Sequence, residues 1–189
     1  MVARRVSRGL GVLLLAAAVG FGGYMAWLLW GTGIITARAQ SQLRQEFFNR
    51  PPATGPFVPG DAVAIIQIPK IHLDMVVVEG TDAASLTKGP GHYTDTAYPW
   101  DQHGRVGIAG HRTTYLHPFW SLDKVKRGDT IVLITRHGTF HYVVTKQLII
   151  LPSEGWVLNQ TVKPSLVLTT CNPRFSASQR LVVFANRLE

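Results

Sequence analysis

An all-β domain behind a single N-terminal transmembrane helix is the fold the sequence predicts, and three observations predict it. Residues Leu10 to Trp30 carry no charge, eight short β-branched runs fill the last 130 residues, and a proline-rich segment, PPATGPFVPGD, separates the two regions. The composition agrees with this division. Charged residues make up 16% of the 189-residue chain, below the ~25% usual in soluble domains, so part of the chain is expected outside water. The remainder is enough for one domain with its own core. The single cysteine, Cys171, cannot form an intramolecular bridge, so its use is packing or chemistry.

The uncharged run comes first. Twenty-one residues from Leu10 to Trp30, at ~1.5 Å rise each, cover the ~30 Å hydrocarbon core of a bilayer as a helix. The uncharged stretch continues to Ile35, which sets the anchor at 10–35. Arg4, Arg5 and Arg8 precede it, which predicts a cytoplasmic terminus (1–9) and a domain outside the cell. Tyr24, Trp27 and Trp30 suit the far interface. A cleaved signal peptide is the competing reading, with Ala16-Ala17-Ala18 as its site. Cleavage there leaves another apolar run to Trp30, which favours an uncleaved anchor.

Residues 36–59 read as a polar helical stalk followed by the proline-rich linker, where helix must stop. The folded domain then occupies 60–189. Its predicted strands are Ala62–Ile68, Met75–Glu79, Val106–Ala109, Thr130–Thr135, Thr139–Thr145, Gln147–Leu151, Ser165–Thr170 and Leu181–Ala185. Arg136-His137-Gly138 reads as a three-residue hairpin loop. Helical turns are expected at Ala83–Thr87 and around Phe119–Val125. Eight such strands point to a closed barrel or sandwich.

Net charge is +8, but only +3 remains from Gly60 onward, with 13 basic and 10 acidic residues. No Lys/Arg run exceeds two and no basic-aromatic ladder is present, so nucleic acid is not an expected partner. No GxGxxG, Walker or GxSxG pattern occurs. His137 and His141 lack the further ligands of a zinc site, and neither a metal nor a cofactor is expected.

The chemistry concentrates in SLVLTTCNPRFSASQRLVVFANRLE. A strand ends at Cys171 and another begins at Arg180. If they pair antiparallel, thiol and guanidinium face each other at the hairpin mouth. A cation there favours thiolate and can hold an oxyanion. A buried, inert cysteine remains open at this point. Of seven histidines, His111 is best placed to serve as a base, in GHRTTY directly after a predicted strand.

These residues resemble the sortases, the cysteine transpeptidases of Gram-positive cell surfaces. The family motif TLxTC aligns with Val167-Leu168-Thr169-Thr170-Cys171, with Val in place of the first Thr, and IAGHR lies sixty residues upstream. IPKIHLDMVVVEGTD, GPGHYTDTAYP and TTCNPRFSASQRLVV look most like class E of actinobacteria. The resemblance implies an eight-stranded sortase-type barrel, with Cys171 as nucleophile, His111 as acid/base and Arg180 as oxyanion or positioning group. It also implies Tyr93 and Thr170 at the substrate pocket.

A class E sortase is expected to cleave an LAXTG- or LPXTG-type signal between Thr and Gly. The implied partners are surface proteins bearing that signal, an amine acceptor on a peptidoglycan precursor, and the membrane. Three other readings stay open: a pilus-polymerising sortase with a lysine acceptor, an L,D-transpeptidase-like crosslinker, and a non-catalytic tethered β-domain. The crosslinker normally has a histidine beside its cysteine, and none lies between Leu148 and Glu189.

Overall fold

The computed structural model describes residues 2–49 and 55–188. Residues 50–54, which include Pro51 and Pro52 of the expected linker, lie outside the described residues, as do the side chains of Arg4 and Arg5. Helix α1 (Val2–Ala26) passes through a π-turn (Trp27–Gly31) into helix α2 (Thr32–Asn49). Together they form the one described helix long and apolar enough to cross a membrane. Its apolar residues are bare: Leu13, Val19 and Phe21 are each about two-thirds exposed.

The segment expected as a stalk is helical, and it lies along the domain. Thr32, Thr36, Leu43 and Phe47 are buried, and with Gln40 they recur every three to four residues on one face. Leu43 and Phe47 pack on Ile65, Val76 and Val78. Burying two such side chains is worth about 3–6 kcal/mol. The Gln40 side chain donates to the carbonyls of Val76 and Lys88 and accepts from the Val76 amide, and Arg44 pairs with Asp74. This face escapes a sequence reading because three of its five residues are threonine or glutamine.

Eight strands close into a barrel: β1 (Ala62–Ile68), β2 (Leu73–Glu79), β3 (Gly91–His92), β4 (Arg105–Ala109), β5 (Thr130–Thr135), β6 (Gly138–Ile150), β7 (Ser165–Asn172) and β8 (Gln179–Arg187). Their order around the barrel is β1-β2-β3-β4-β7-β8-β6-β5. The core inside is aliphatic, with Ile66, Val77, Ile108, Leu133, Leu166, Leu168 and Val183 fully buried around Phe119 and Tyr142.

Two differences from the sequence reading cancel in the strand count. The runs Thr139–Thr145 and Gln147–Leu151 are one strand, β6, whose register shifts between Val144 and Lys146. That bulge interrupts the alternation and makes Lys146 look like a turn. Strand β3, which was not anticipated, has only two residues, too few to show a period. The β5–β6 turn is also tighter than expected: Thr135 pairs with Gly138, leaving Arg136-His137 as the loop.

Helix α3 (Ala83–Lys88) forms where a turn was expected. The Asp82 carboxylate caps it by accepting from the amides of Ala84 and Ser85. The Ser85 hydroxyl and amide bonds hold that carboxyl below its ordinary pKa. Just before it, Glu79 at the end of β2 meets His92 of β3, Oε2 to Nδ1 at 3.0 Å, with both side chains buried. His92 Nε2 donates to the Ala97 carbonyl at 3.0 Å. This pair pins the short strand that leads into Tyr93.

Candidate active site

Strand order decides which residues meet. β7 lies between β4 and β8. It runs parallel to β4, whose last pair is Ala109 with Thr169, so both strands end at the same rim. Two residues beyond that pair stand His111 and Cys171. On the other side β7 runs antiparallel to β8, and Cys171 is paired directly with Arg180, the facing arrangement anticipated from the hairpin. Three adjacent strands thus bring an imidazole, a thiol and a guanidinium to one place.

A cavity of about 240 Å³ opens there, lined by Thr81, Leu86, Tyr93, His111, Cys171 and Arg180 among others. It is below the 300–1,000 Å³ usual for pockets that enclose a small molecule, and suits a short extended segment. All five residues singled out from the sequence line it, Thr170 included.

Their surroundings differ. Cys171 is a free, half-buried thiol. Arg180 Nη1 donates to the carbonyls of Ala177 and Gln179. Its Nε and Nη2 have no partner among the described residues, so two donors stay available. The Tyr93 hydroxyl lies 2.9 Å from the Thr169 hydroxyl. Thr170 is buried and donates to the Gly110 carbonyl at 2.7 Å, so its proton is already committed to holding the His111-bearing strand end. Gly110 allows that end to sit on Phe119; a Cβ at this position would approach the ring to 2.6 Å.

The His111 imidazole makes no hydrogen bond among the described residues. Its ring neighbour is Tyr115, at 5.0 Å between centroids. Burial pushes its pKa below the ordinary 6.5, since desolvation disfavours the charged ring.

Arg112 was not singled out from the sequence, where it looks like a surface residue in a polar loop. It is 5% exposed. Nη1 donates to the Cys171 carbonyl at 3.2 Å and to Asn172 Oδ1 at 2.7 Å, while Nη2 donates to Asp123 at 3.1 Å. Asn172 continues the chain of contacts by donating to Gln179, beside Arg180. Arg174 reaches the same Asp123 and covers the Trp120 ring. Among the described residues, no group of three or more His, Cys, Asp or Glu is placed to hold a metal ion.

This geometry has counterparts among known proteins. The sortase domain family matches residues 66–188. Sortase SrtE1 of Streptomyces coelicolor is 32% identical over 97% of this chain, and Sortase D of Bacillus subtilis is 38% identical over 68% of it. The chain spans 57% of the Streptomyces protein's length and 65% of the Bacillus protein's. Among solved structures, a Clostridium perfringens Sortase D5 transpeptidase superimposes with a TM-score of 0.72 at 28% identity, covering 82% of this chain and 99% of that one. Sortase E1 of Streptomyces coelicolor, solved with a tripeptide in its active site, gives 0.65 at 31% identity, covering 71% and 92%. Fold and family match agree, and the chain belongs to the sortase family, with a class E-like character.

Proposed function

We propose that this chain is a membrane-anchored cysteine transpeptidase that cleaves an LAXTG- or LPXTG-type sorting signal between Thr and Gly and transfers the surface protein to a cell-wall amine. The observation that carries the reading is the convergence of His111, Cys171 and Arg180 on one cavity. In the first half-reaction the Cys171 thiolate attacks the Thr carbonyl carbon. The free Nε and Nη2 of Arg180 receive the oxyanion. His111 gives its proton to the Gly nitrogen as the C–N bond breaks, and a thioester remains.

In the second half-reaction an amine attacks the thioester carbon and passes a proton to His111. The Cys171 thiolate leaves, and the site is restored. Tyr93, just beyond β3, and Thr170, on β7, line the cavity, where they would shape the pocket for the residues before the scissile bond. A peptidoglycan precursor is the acceptor we assign. An acceptor held in the membrane, a substrate with its own membrane tail and an anchored enzyme share one surface, which raises their effective concentration.

The bare apolar surface of α1 supports membrane crossing, because an exposed patch of that extent needs lipid or a partner. The arginines before it support a cytoplasmic terminus, with the barrel on the outer face. The test uses the full chain in detergent micelles with LAXTG and LPXTG peptides and an added amine, read by mass spectrometry. A peptide ending in Thr joined to the amine is the expected product. Intact peptide with both signals would overturn the reading.

A further inference from the structure

The loop after His111 is built in an unusual way. Tyr115, Leu116 and His117 have φ of 53°, 58° and 37°, three successive non-glycine residues in the left-handed region. Such a stretch persists only where its surroundings over-determine it. On the barrel side it is tied by Phe119, whose amide donates to the His111 carbonyl at 3.1 Å and whose ring is fully buried.

On the other side it is held by the start of α2. The Tyr115 amide donates to Thr32 Oγ1 at 3.1 Å, and the same hydroxyl donates to the Leu28 carbonyl at 2.8 Å. Thr32 is 3% exposed. Next to it, Gly33 leaves room for Leu116: a Cβ there would stand 3.2 Å from Leu116 Cδ2. The π-turn at Trp27–Gly31 delivers these two residues, since the Thr32 amide closes it by donating to the carbonyls of Trp27 and Trp30.

His111 has no hydrogen-bonded orienter among the described residues, and the ring of Tyr115, 5.0 Å away between centroids, is an aromatic contact that can fix its rotamer. We propose that the helix segment leaving the apolar span is a positioning element for His111: Thr32 and Gly33 hold Tyr115 and Leu116, and Tyr115 sets the imidazole. Thr32, Gly33 and Tyr115 are positioning residues and touch no reacting atom. The inference rests on the acid/base role given to His111 above. The titratable or charged groups that share the His111 cavity are Cys171, Arg180 and Tyr93, and no carboxylate lines it among the described residues. Tyr115 covers the ring from its own loop.

The experiment uses the full chain in micelles with Thr32→Val, Thr32→Ser and Tyr115→Leu. The His111 ring is titrated by NMR of histidine-labelled protein, its signal assigned by loss in His111→Gln. Turnover of a sorting peptide is measured alongside. Thr32→Val should move the His111 midpoint up toward 6.5 as water reaches the ring, and lower kcat by roughly three- to tenfold with KM unchanged. Tyr115→Leu should do the same while keeping the backbone bond to Thr32. Thr32→Ser should restore both readouts. Wild-type titration and kcat in Thr32→Val would overturn the proposal, as would equal losses in Thr32→Val and Thr32→Ser. A wild-type chain that cleaves no peptide would defeat the transpeptidase reading alone, because the titration still decides whether the helix orients His111.

Discussion

The guanidinium of Arg112 holds the peptide carbonyl of Cys171 at 3.2 Å, so the residue after the candidate base grips the candidate nucleophile from behind. The same side chain reaches Asn172 and Asp123. Lysine offers one point charge in place of a planar fork and cannot span all three. Arg112→Lys should therefore cost about 2–3 kcal/mol through lost charge-assisted bonds. Thermal unfolding and peptide turnover, measured together, check this. A melting temperature within a degree of wild type would show that the clamp is not under load.

Cys171→Ala should abolish both cleavage and transfer while leaving the fold intact, since the thiol is free and half-buried at a strand end. Mass spectrometry of peptide products gives the first readout and circular dichroism the second. Residual transfer above about one percent would remove Cys171 as nucleophile.

Arg180→Lys should be poorly active. Nη1 is occupied by Ala177 and Gln179, and the donors left for an oxyanion are Nε and Nη2, which an ammonium does not reproduce. Loss of one such donor typically costs about a hundredfold or more in kcat. Near-normal turnover with Lys would mean that the side chain supplies only a positive field.

Burial lowers the His111 pKa, and the direction has two consequences. The thiolate–imidazolium form of the His111–Cys171 pair has lost one proton in total, so where the ring is the first of the two to titrate, the acid limb of kcat/KM reports it and should lie below pH 6.5. The unfolded chain takes up the proton at ~6.5 and the folded chain does so only at lower pH, so stability from this site is present above 6.5 and lost as pH falls toward the folded value. His111→Gln should flatten the fall in Tm between pH 6.5 and 5. An unchanged slope would place the loss elsewhere.

Tyr142 is fully buried inside the barrel, and its hydroxyl has no partner among the described residues. Burial pushes the phenol pKa upward. Tyr142→Phe keeps the ring and removes the unpaired group, and should raise stability by about 1 kcal/mol. Denaturant midpoints settle the sign, and a loss of stability would reveal a bound partner for the hydroxyl.

Local patterning made much of this legible before any coordinates. Ala62–Ile68 and Thr130–Thr135 are found with the expected bounds, because β-branched runs between turn residues report their own geometry. The facing of Cys171 and Arg180 followed from one hairpin with a short loop. The docking of α2 was hidden, since Thr32, Thr36 and Gln40 act through hydroxyl and amide bonds that hydropathy does not register. Arg112 was hidden for a related reason: a guanidinium buried by two acceptors at the end of β7 and a third, Asp123, in a helical turn looks, in sequence, like any polar loop residue. The meeting of His111 with Cys171 depends on the parallel pairing of β4 with β7, sixty residues apart, and no local signal encodes it.

That pairing also makes the site a gauge of assembly. In a strand the side chains alternate faces, so a slip of one residue between β7 and either neighbour would turn Cys171 away from His111 or from Arg180. Contacts separated by sixty residues cost more loop-closure entropy than a local hairpin does. A nascent or misregistered chain therefore carries its thiol without the partners that would arm it. Under the proposed roles, the thiol would gain both partners only in the closed barrel, where β7 is paired with β4 on one side and β8 on the other.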